Sequence, residues 1–207
     1  MRPCGGTRLK GVTDSTRTTL VTAARLPGWV ERFSAAHGGL DTQRDTDDGV
    51  LLAMGDGATA LLSPPWPDDG RPGRGTDLVE RLVSLASQER SLGIVLARRG
   101  GFAVGVSAGG KLLAHKVGKG GRQAGALAAK AAEEAARIFA GARFEYLATG
   151  GDKPLVAAVL AAPSLRSYAN RPHLAPLAVA DPNHAVLQKA AADFCAVRIR
   201  VTDPPQN

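Results

Sequence analysis

Residues 91–132 read SLGIVLARRGGFAVGVSAGGKLLAHKVGKGGRQAGALAAKAA. Residues 94–97 and 102–106 are short apolar runs rich in β-branched and aromatic side chains, which reads as two strands. Gly100-Gly101 separates them. A type I′ hairpin turn needs positive φ at both central residues, and glycine takes that conformation without steric cost. Gly109-Gly110 offers the same turn before a third run, residues 111–117. The reading is a three-strand antiparallel meander. Residues 118–123, Gly-Lys-Gly-Gly-Arg-Gln, then form a glycine-rich basic loop. An Ala-rich helix follows over residues 123–140, with Leu127, Ala131, Ala135 and Ile138 on one face at helical spacing. Lys130 with Glu134 and Glu133 with Arg137 are i, i+4 pairs on its surface. A mobile cationic loop is thus expected between a rigid sheet and a rigid helix.

Charge singles out the same block. The chain of 207 residues has 26 Lys or Arg against 19 Asp or Glu, a formal net charge of +7. Residues 91–132 hold seven of the basic residues, Arg98, Arg99, Lys111, Lys116, Lys119, Arg122 and Lys130, and no acidic one. The remainder of the chain is therefore neutral. Excess charge gathered in one fifth of the length is a footprint for a polyanion. Aromatic residues make up only 4%, so contact with phosphates is expected over base stacking on aromatic platforms.

On the C-terminal side, residues 144–148 read as a strand, and Thr149-Gly150-Gly151-Asp152 turns it into a helix from about Lys153, with Pro154 tolerated in the first turn. Residues 181–194 contain a last helix. Residues 195–201 alternate, with Cys195, Val197, Ile199 and Val201 on one side and Arg198 and Arg200 on the other, as in a half-buried strand. On the N-terminal side, residues 18–22 read as a strand. Leu26, Val30 and Phe33 mark a helix that ends at Gly38-Gly39. Residues 42–48 are polar and read as a loop, and residues 50–54 and 59–62 as a hairpin around Gly55-Asp56-Gly57-Ala58. Residues 63–75 are rich in Pro and Gly, the composition of a linker. Trp66 within them is expected to fold back on its own domain. Residues 77–90 read as a helix with Thr76 or Asp77 as its cap.

The fold class expected is α+β. It has a flexible tail over residues 1–16, a small α+β unit over 17–62 and a linker over 63–76. A mixed β-sheet with packed helices follows over residues 77–204, in the order β-β-β-α-β-α-α-β. No apolar run approaches the ~18 residues of a membrane span, and the N-terminus lacks the apolar core of a signal peptide. Two cysteines, Cys4 and Cys195, make no disulfide framework, which fits a reducing cytoplasm.

Several motifs fail on context. Gly105-Val106-Ser107-Ala108-Gly109 has the spacing of a nucleophile elbow, but the elbow needs a helix after it and residues 111–117 read as a strand. Residues 105–111 have phosphate-loop spacing, but Leu112 stands where Ser or Thr should hold magnesium, and the helix is again missing. His37, His115, His173 and His184 include no pair at metal-ligand spacing, so no metal or cofactor is implied. Asp152 after Gly150-Gly151 offers a catalytic carboxylate, but a helix cap is the expected role.

The words Gly101-Phe102-Ala103-Val104-Gly105-Val106, Lys116-Val117-Gly118, Gly150-Gly151-Asp152-Lys153-Pro154-Leu155 and residues 197–204 resemble the actinobacterial peptidyl-tRNA hydrolase family. So do Leu26-Pro27-Gly28-Trp29 and Asp56-Gly57-Ala58-Thr59-Ala60, and the resemblance covers roughly residues 18–204. That family has a catalytic domain like the middle domain of eukaryotic release factors. The resemblance implies a loop whose functional residues are Gly120, Gly121 and Gln123. It also departs from the family pattern, because Arg122 separates Gly121 from Gln123 where release factors have Gly-Gly-Gln. The activity implied is hydrolysis of the ester between nascent peptide and tRNA on the large ribosomal subunit, in rescue of stalled ribosomes. Lys116, Lys119, Arg122, Lys130, Arg98 and Arg99 would contact RNA. The alternative is a non-catalytic RNA- or ribosome-binding module that uses the same basic face. A weaker option is a serine hydrolase acting through Ser107.

Overall fold

The computed structural model describes residues 16–120 and 123–204. The expected N-terminal tail lies outside the described residues except for Thr16, which opens the first strand.

Two sheets organise these residues. The first is antiparallel and has five strands, in the order β1-β9-β4-β3-β2. Its members are β1 (Thr16–Val21), β2 (Leu40–Thr46), β3 (Gly49–Met54), β4 (Thr59–Ser63) and β9 (Val197–Thr202). Val50, Leu52 and Met54 of β3, Ala60 and Leu62 of β4, and Val197, Ile199 and Val201 of β9 are buried on one face. They pack under Leu26 and Phe33 of α1 (Leu26–Ala36) and Leu82 and Ala86 of α2 (Leu78–Ala86). The Asp77 side chain caps α2 by accepting from the Glu80 amide, as its residue type at that position favours.

The second sheet has four strands, in the order β7-β6-β5-β8. β5 (Ser91–Arg98), β6 (Gly101–Ala108) and β7 (Lys111–Lys119) form the expected antiparallel meander. β8 (Tyr146–Gly151) runs parallel to β5, which makes the sheet mixed. Helices cover both faces. On one side Leu127, Ala131, Ala135 and Phe139 of α3 (Ala124–Ala140) meet Phe102, Val104 and Val106, with Leu155 and Val159 of α4 (Lys153–Leu160) in the same cluster. On the other, Leu187, Ala190, Ala191 and Phe194 of α5 (His184–Phe194) meet Ile94, Leu96 and Ala103. Alanine on the buried face of α3 lets the helix axis approach the sheet closely, so Phe139 and Phe144, with ring centroids 4.8 Å apart, fill the end of the layer.

The fold is α+β with a mixed sheet, as expected, but four local readings need correction. β9 keeps its alternation yet lies between β1 and β4, and α2 also packs on the first sheet. The stretch expected as one unit over residues 77–204 therefore supplies a strand and a helix to the N-terminal sheet. Alternation specifies which side chains are buried, but not the neighbouring strand. Residues 40–46 form β2 instead of a loop, paired to β3 and exposed along its whole length. A polar edge strand has no apolar period to read.

The first hairpin turn is Arg99-Gly100, since Arg98 pairs with Gly101, and neither turn residue has positive φ. Gly101 belongs to the strand because a Cβ there would lie 2.5 Å from the Gly118 carbonyl oxygen. Gly109-Gly110 does take the expected left-handed geometry, with φ of 53° and 77°. On α3, Glu134 pairs with Arg137 three residues along, in place of the two i, i+4 pairs.

The Pro/Gly-rich connection after β4 is packed down. Trp66 is buried against Tyr146, with ring centroids 5.8 Å apart. Asp69 accepts hydrogen bonds from Arg90 and from the Tyr146 hydroxyl, and Arg71 bridges Asp69 to Glu145. The Arg90 side chain is fully buried. The guanidinium of Arg90, and then that of Arg71, hold the Asp69 carboxyl well below the usual carboxylate range.

Candidate functional site

One end of the second sheet gathers the groups that the sequence singles out. Arg98 faces Gly101 there, Gly101 faces Lys119, and Ala97 faces Gly151. The loop after β7 leaves from this end and the Gly120 amide donates to the Gly100 carbonyl at 2.9 Å. A Cβ on Gly120 would lie 2.4 Å from the Arg99 carbonyl oxygen. Gly120 is thus glycine because two backbones cross here, and it is an anchor of the loop. Gly121 and Arg122 lie outside the described residues.

Gln123 stands at the N-cap position of α3 with extended backbone, φ −106° and ψ 117°. Its carbonyl accepts from the Leu127 amide at 3.2 Å. Its side chain makes no capping hydrogen bond and is exposed. Short side chains such as Ser, Thr, Asp and Asn are the ones that cap well. Glutamine at this position leaves its amide available to an external group.

The basic residues do not form one face. Paired residues on neighbouring strands share a side of the sheet. Lys116 faces Val104, whose side chain packs in the α3 layer. The Glu134 carboxyl is held below its usual range chiefly by Arg137, and Lys116 and Lys130 add attraction. These two lysines therefore flank the α3 side. Arg98 points the other way, donating to the Val179 carbonyl and pairing with Asp181 at 3.7 Å. Lys119, opposite Gly101, shares the Arg98 side by alternation. Arg99 is exposed at the turn. The cations flank both sides of the sheet end where Gln123 emerges.

Beside the loop is a cleft of about 1200 Å³ lined by Arg99, Leu127, Asp152, Lys153, Pro154 and Leu155, among others. Asp152 occupies the N-cap position of α4, but its side chain makes no capping bond. Its backbone serves instead, the amide donating to Ala97 at 2.8 Å and the carbonyl accepting from Val156 at 2.9 Å. Pro154, in the first turn, lacks one of the amides that an N-cap side chain would reach. Among the described residues the Asp152 carboxyl has no hydrogen bond or ion pair. Asp152, weighed in the sequence as catalytic but read in favour of capping, keeps an open carboxylate, and Lys153, in the same Gly-Gly-Asp-Lys word at the strand end, is a site feature that the sequence reading missed.

Other candidates separate from this site. Ser107 is fully buried on β6 and its hydroxyl has no partner among the described residues. With β7 and not a helix after it, it has neither the exposure nor the turn of a nucleophile elbow. Lys111 opens β7, so no helix N-terminus follows the phosphate-loop spacing either. His115 and His184, far apart in sequence, have ring centroids 4.6 Å apart. Among the described residues no group of three His, Cys, Asp or Glu could hold a metal ion.

No curated protein matches the chain. Among solved structures it is similar to Archaeoglobus fulgidus Pelota, at 12% identity and a TM-score of 0.29, over 86% of this chain and 61% of that one. Residues 119–200 match the model of the Actinobacteria/chloroflexi VLRF1 release factor family. That stretch begins at the last residue of β7 and runs through the loop and α3 to β9. The segment that carries Gln123 is release-factor-like.

Proposed function

We propose that the chain is a peptidyl-tRNA ester hydrolase of the release-factor kind, acting on the large ribosomal subunit in rescue of stalled ribosomes. The observation that carries this reading is the exposed, uncapped side chain of Gln123 inside a release-factor-like segment. A neutral amide is no general base at neutral pH. It can hold a water against the ester carbonyl while a neighbouring backbone N–H donates to the developing oxyanion. The water oxygen bonds to the carbonyl carbon, the bond to the ribose oxygen breaks, and the proton that the water loses ends on the ribose oxygen. Lys116, Lys119, Arg122, Lys130, Arg98 and Arg99 would contact RNA phosphates on either side of the loop, each contact weakening with salt. Gly121, two residues before Gln123, would let the backbone enter a crowded RNA site. The chemistry asks for no metal or cofactor.

The test is peptide release from peptidyl-tRNA bound to large subunits, wild type against Gln123→Ala. Release by the wild type and its loss in the variant support the proposal. Equal release removes Gln123 from the mechanism.

A second reading is favoured by one feature of the sequence: Arg122 stands between Gly121 and Gln123. In that reading the chain binds RNA or the ribosome without turnover. Salt-dependent binding would then survive Gln123→Ala, and wild-type protein would release no peptide.

A further inference from the structure

We propose that the cleft beside the loop binds a guanine nucleotide presented by single-stranded RNA. This rests on the RNA-directed part of the function proposed above and is independent of hydrolysis. The cleft, at about 1200 Å³, exceeds the ~300–1,000 Å³ usual for small-molecule pockets. That leaves room for a base together with part of its neighbours in a strand. Its floor is apolar, with Leu127 and Leu155 at 4% and 8% exposure beside Pro154. A base laid on that floor would be shielded from water. Arg99 and Lys153, both exposed on the lining, suit phosphates, and a guanidinium plane can also stack on a base.

Asp152 decides which base. The residue is half-buried, and its carboxyl makes no capping bond to the helix that it precedes. A carboxylate only accepts hydrogen bonds. Guanine alone among the common RNA bases offers two adjacent donors, N1–H and the N2 amine, on its pairing edge. Cytosine and adenine each set one donor beside an acceptor nitrogen, and uracil sets one between two carbonyls. Two carboxylate oxygens therefore match guanine and repel part of each other edge.

The experiment is calorimetric titration of the full chain with GMP, IMP and AMP. IMP is guanine's counterpart without the N2 amine. Losing one hydrogen bond to a charged group should weaken IMP about tenfold relative to GMP, with AMP weaker again. Asp152→Asn should erase the gap between GMP and IMP, and an unchanged thermal midpoint would establish that the variant is folded. Arg99→Ala should weaken GMP and IMP by the same factor. Wild-type protein that binds GMP, IMP and AMP alike, or binds none of them, overturns the assignment.

Five-nucleotide RNAs, AAGAA and AAAAA, identify the source. AAGAA binding tighter than both GMP and AAAAA supports a strand. GMP binding at least as tightly as AAGAA overturns the strand and assigns a free nucleotide. The release assay keeps the two proposals apart. A chain that prefers GMP but releases no peptide retains this site and loses the hydrolase. One that releases peptide without telling GMP from IMP does the reverse.

Discussion

The Asp69–Arg90–Tyr146 cluster and the end of the second sheet both bring ionic side chains together, with opposite results. In the first, every charged group is committed. Arg90 is buried, Asp69 meets it and the Tyr146 hydroxyl, and Arg71 closes the circuit to Glu145. In the second, Asp152 lacks a partner among the described residues, Arg99 and Lys153 are exposed, and the Gln123 amide caps nothing. Charges paired with one another hold a fold. Charges left open beside a cleft are available to a ligand. The largest effects of mutation should therefore fall on stability in the first region and on activity in the second.

Asp69→Ala tests the first half of that contrast. Removing Asp69 leaves the buried Arg90 guanidinium with Glu145, at 4.0 Å, as its remaining carboxylate, and losing the nearer partner of a buried charge costs about 3 kcal/mol, the low end for a broken buried pair. For a chain of this size 3 kcal/mol lowers the midpoint of thermal unfolding by roughly 6–12 °C. Calorimetry checks it. Because the Asp69 carboxyl titrates below its unfolded value, its contribution is fully present above about pH 4 and is lost as pH falls through the lower folded value. The gap between variant and wild type should therefore narrow steadily as pH falls below about 4, closing only below the folded value. A gap that does not narrow would mean that the cluster acts through packing alone.

Gln123→Ala is the counterpart. Losing one group that positions water or oxyanion costs on the order of 100-fold in peptide release. The side chain makes no capping bond, so the thermal midpoint should stay unchanged. A fall in stability equal to the fall in activity would place Gln123 with the structural residues.

Gly120→Ala should fall between the two. The methyl group would meet the Arg99 carbonyl oxygen at 2.4 Å, and relieving such an overlap costs about 1–3 kcal/mol. Moving the anchor also moves Gln123, so stability and release should fall together. Measured beside Gln123→Ala, this separates a glycine needed for a backbone crossing from one needed for contact with RNA.

What could be read from the sequence divides along the same line. The meander, α3 and the position of Gln123 between them were legible because hydrophobic period and glycine turns are local signals. The Val197, Ile199 and Val201 face was legible too, but not its place between β1 and β4, which depends on a partner more than 130 residues away. β2 carries no apolar face and gave no signal. The Arg99-Gly100 turn was misread by one residue because Gly101 serves a cross-strand contact that only the folded sheet creates. From residue type alone Asp152 reads as a cap before it reads as a catalytic group. The proline two residues later, which removes an amide from the reach of that side chain, was the clue in the sequence against it.

The smallest effect is expected where charges are paired but still solvated. Arg137 is two-thirds exposed and pairs with Glu134 on α3, so Arg137→Ala should change stability by only about 0.2–0.5 kcal/mol. Its use lies elsewhere. Without Arg137, Glu134 is left to Lys116 and Lys130, which already attract it. If those two lysines contact phosphate, drawing one of them to Glu134 should reduce the salt slope of RNA binding by about one ion. Binding measured at several salt concentrations resolves that change. An unaltered slope would take the α3 side out of the RNA contact and leave Arg98, Arg99 and Lys119 to carry it.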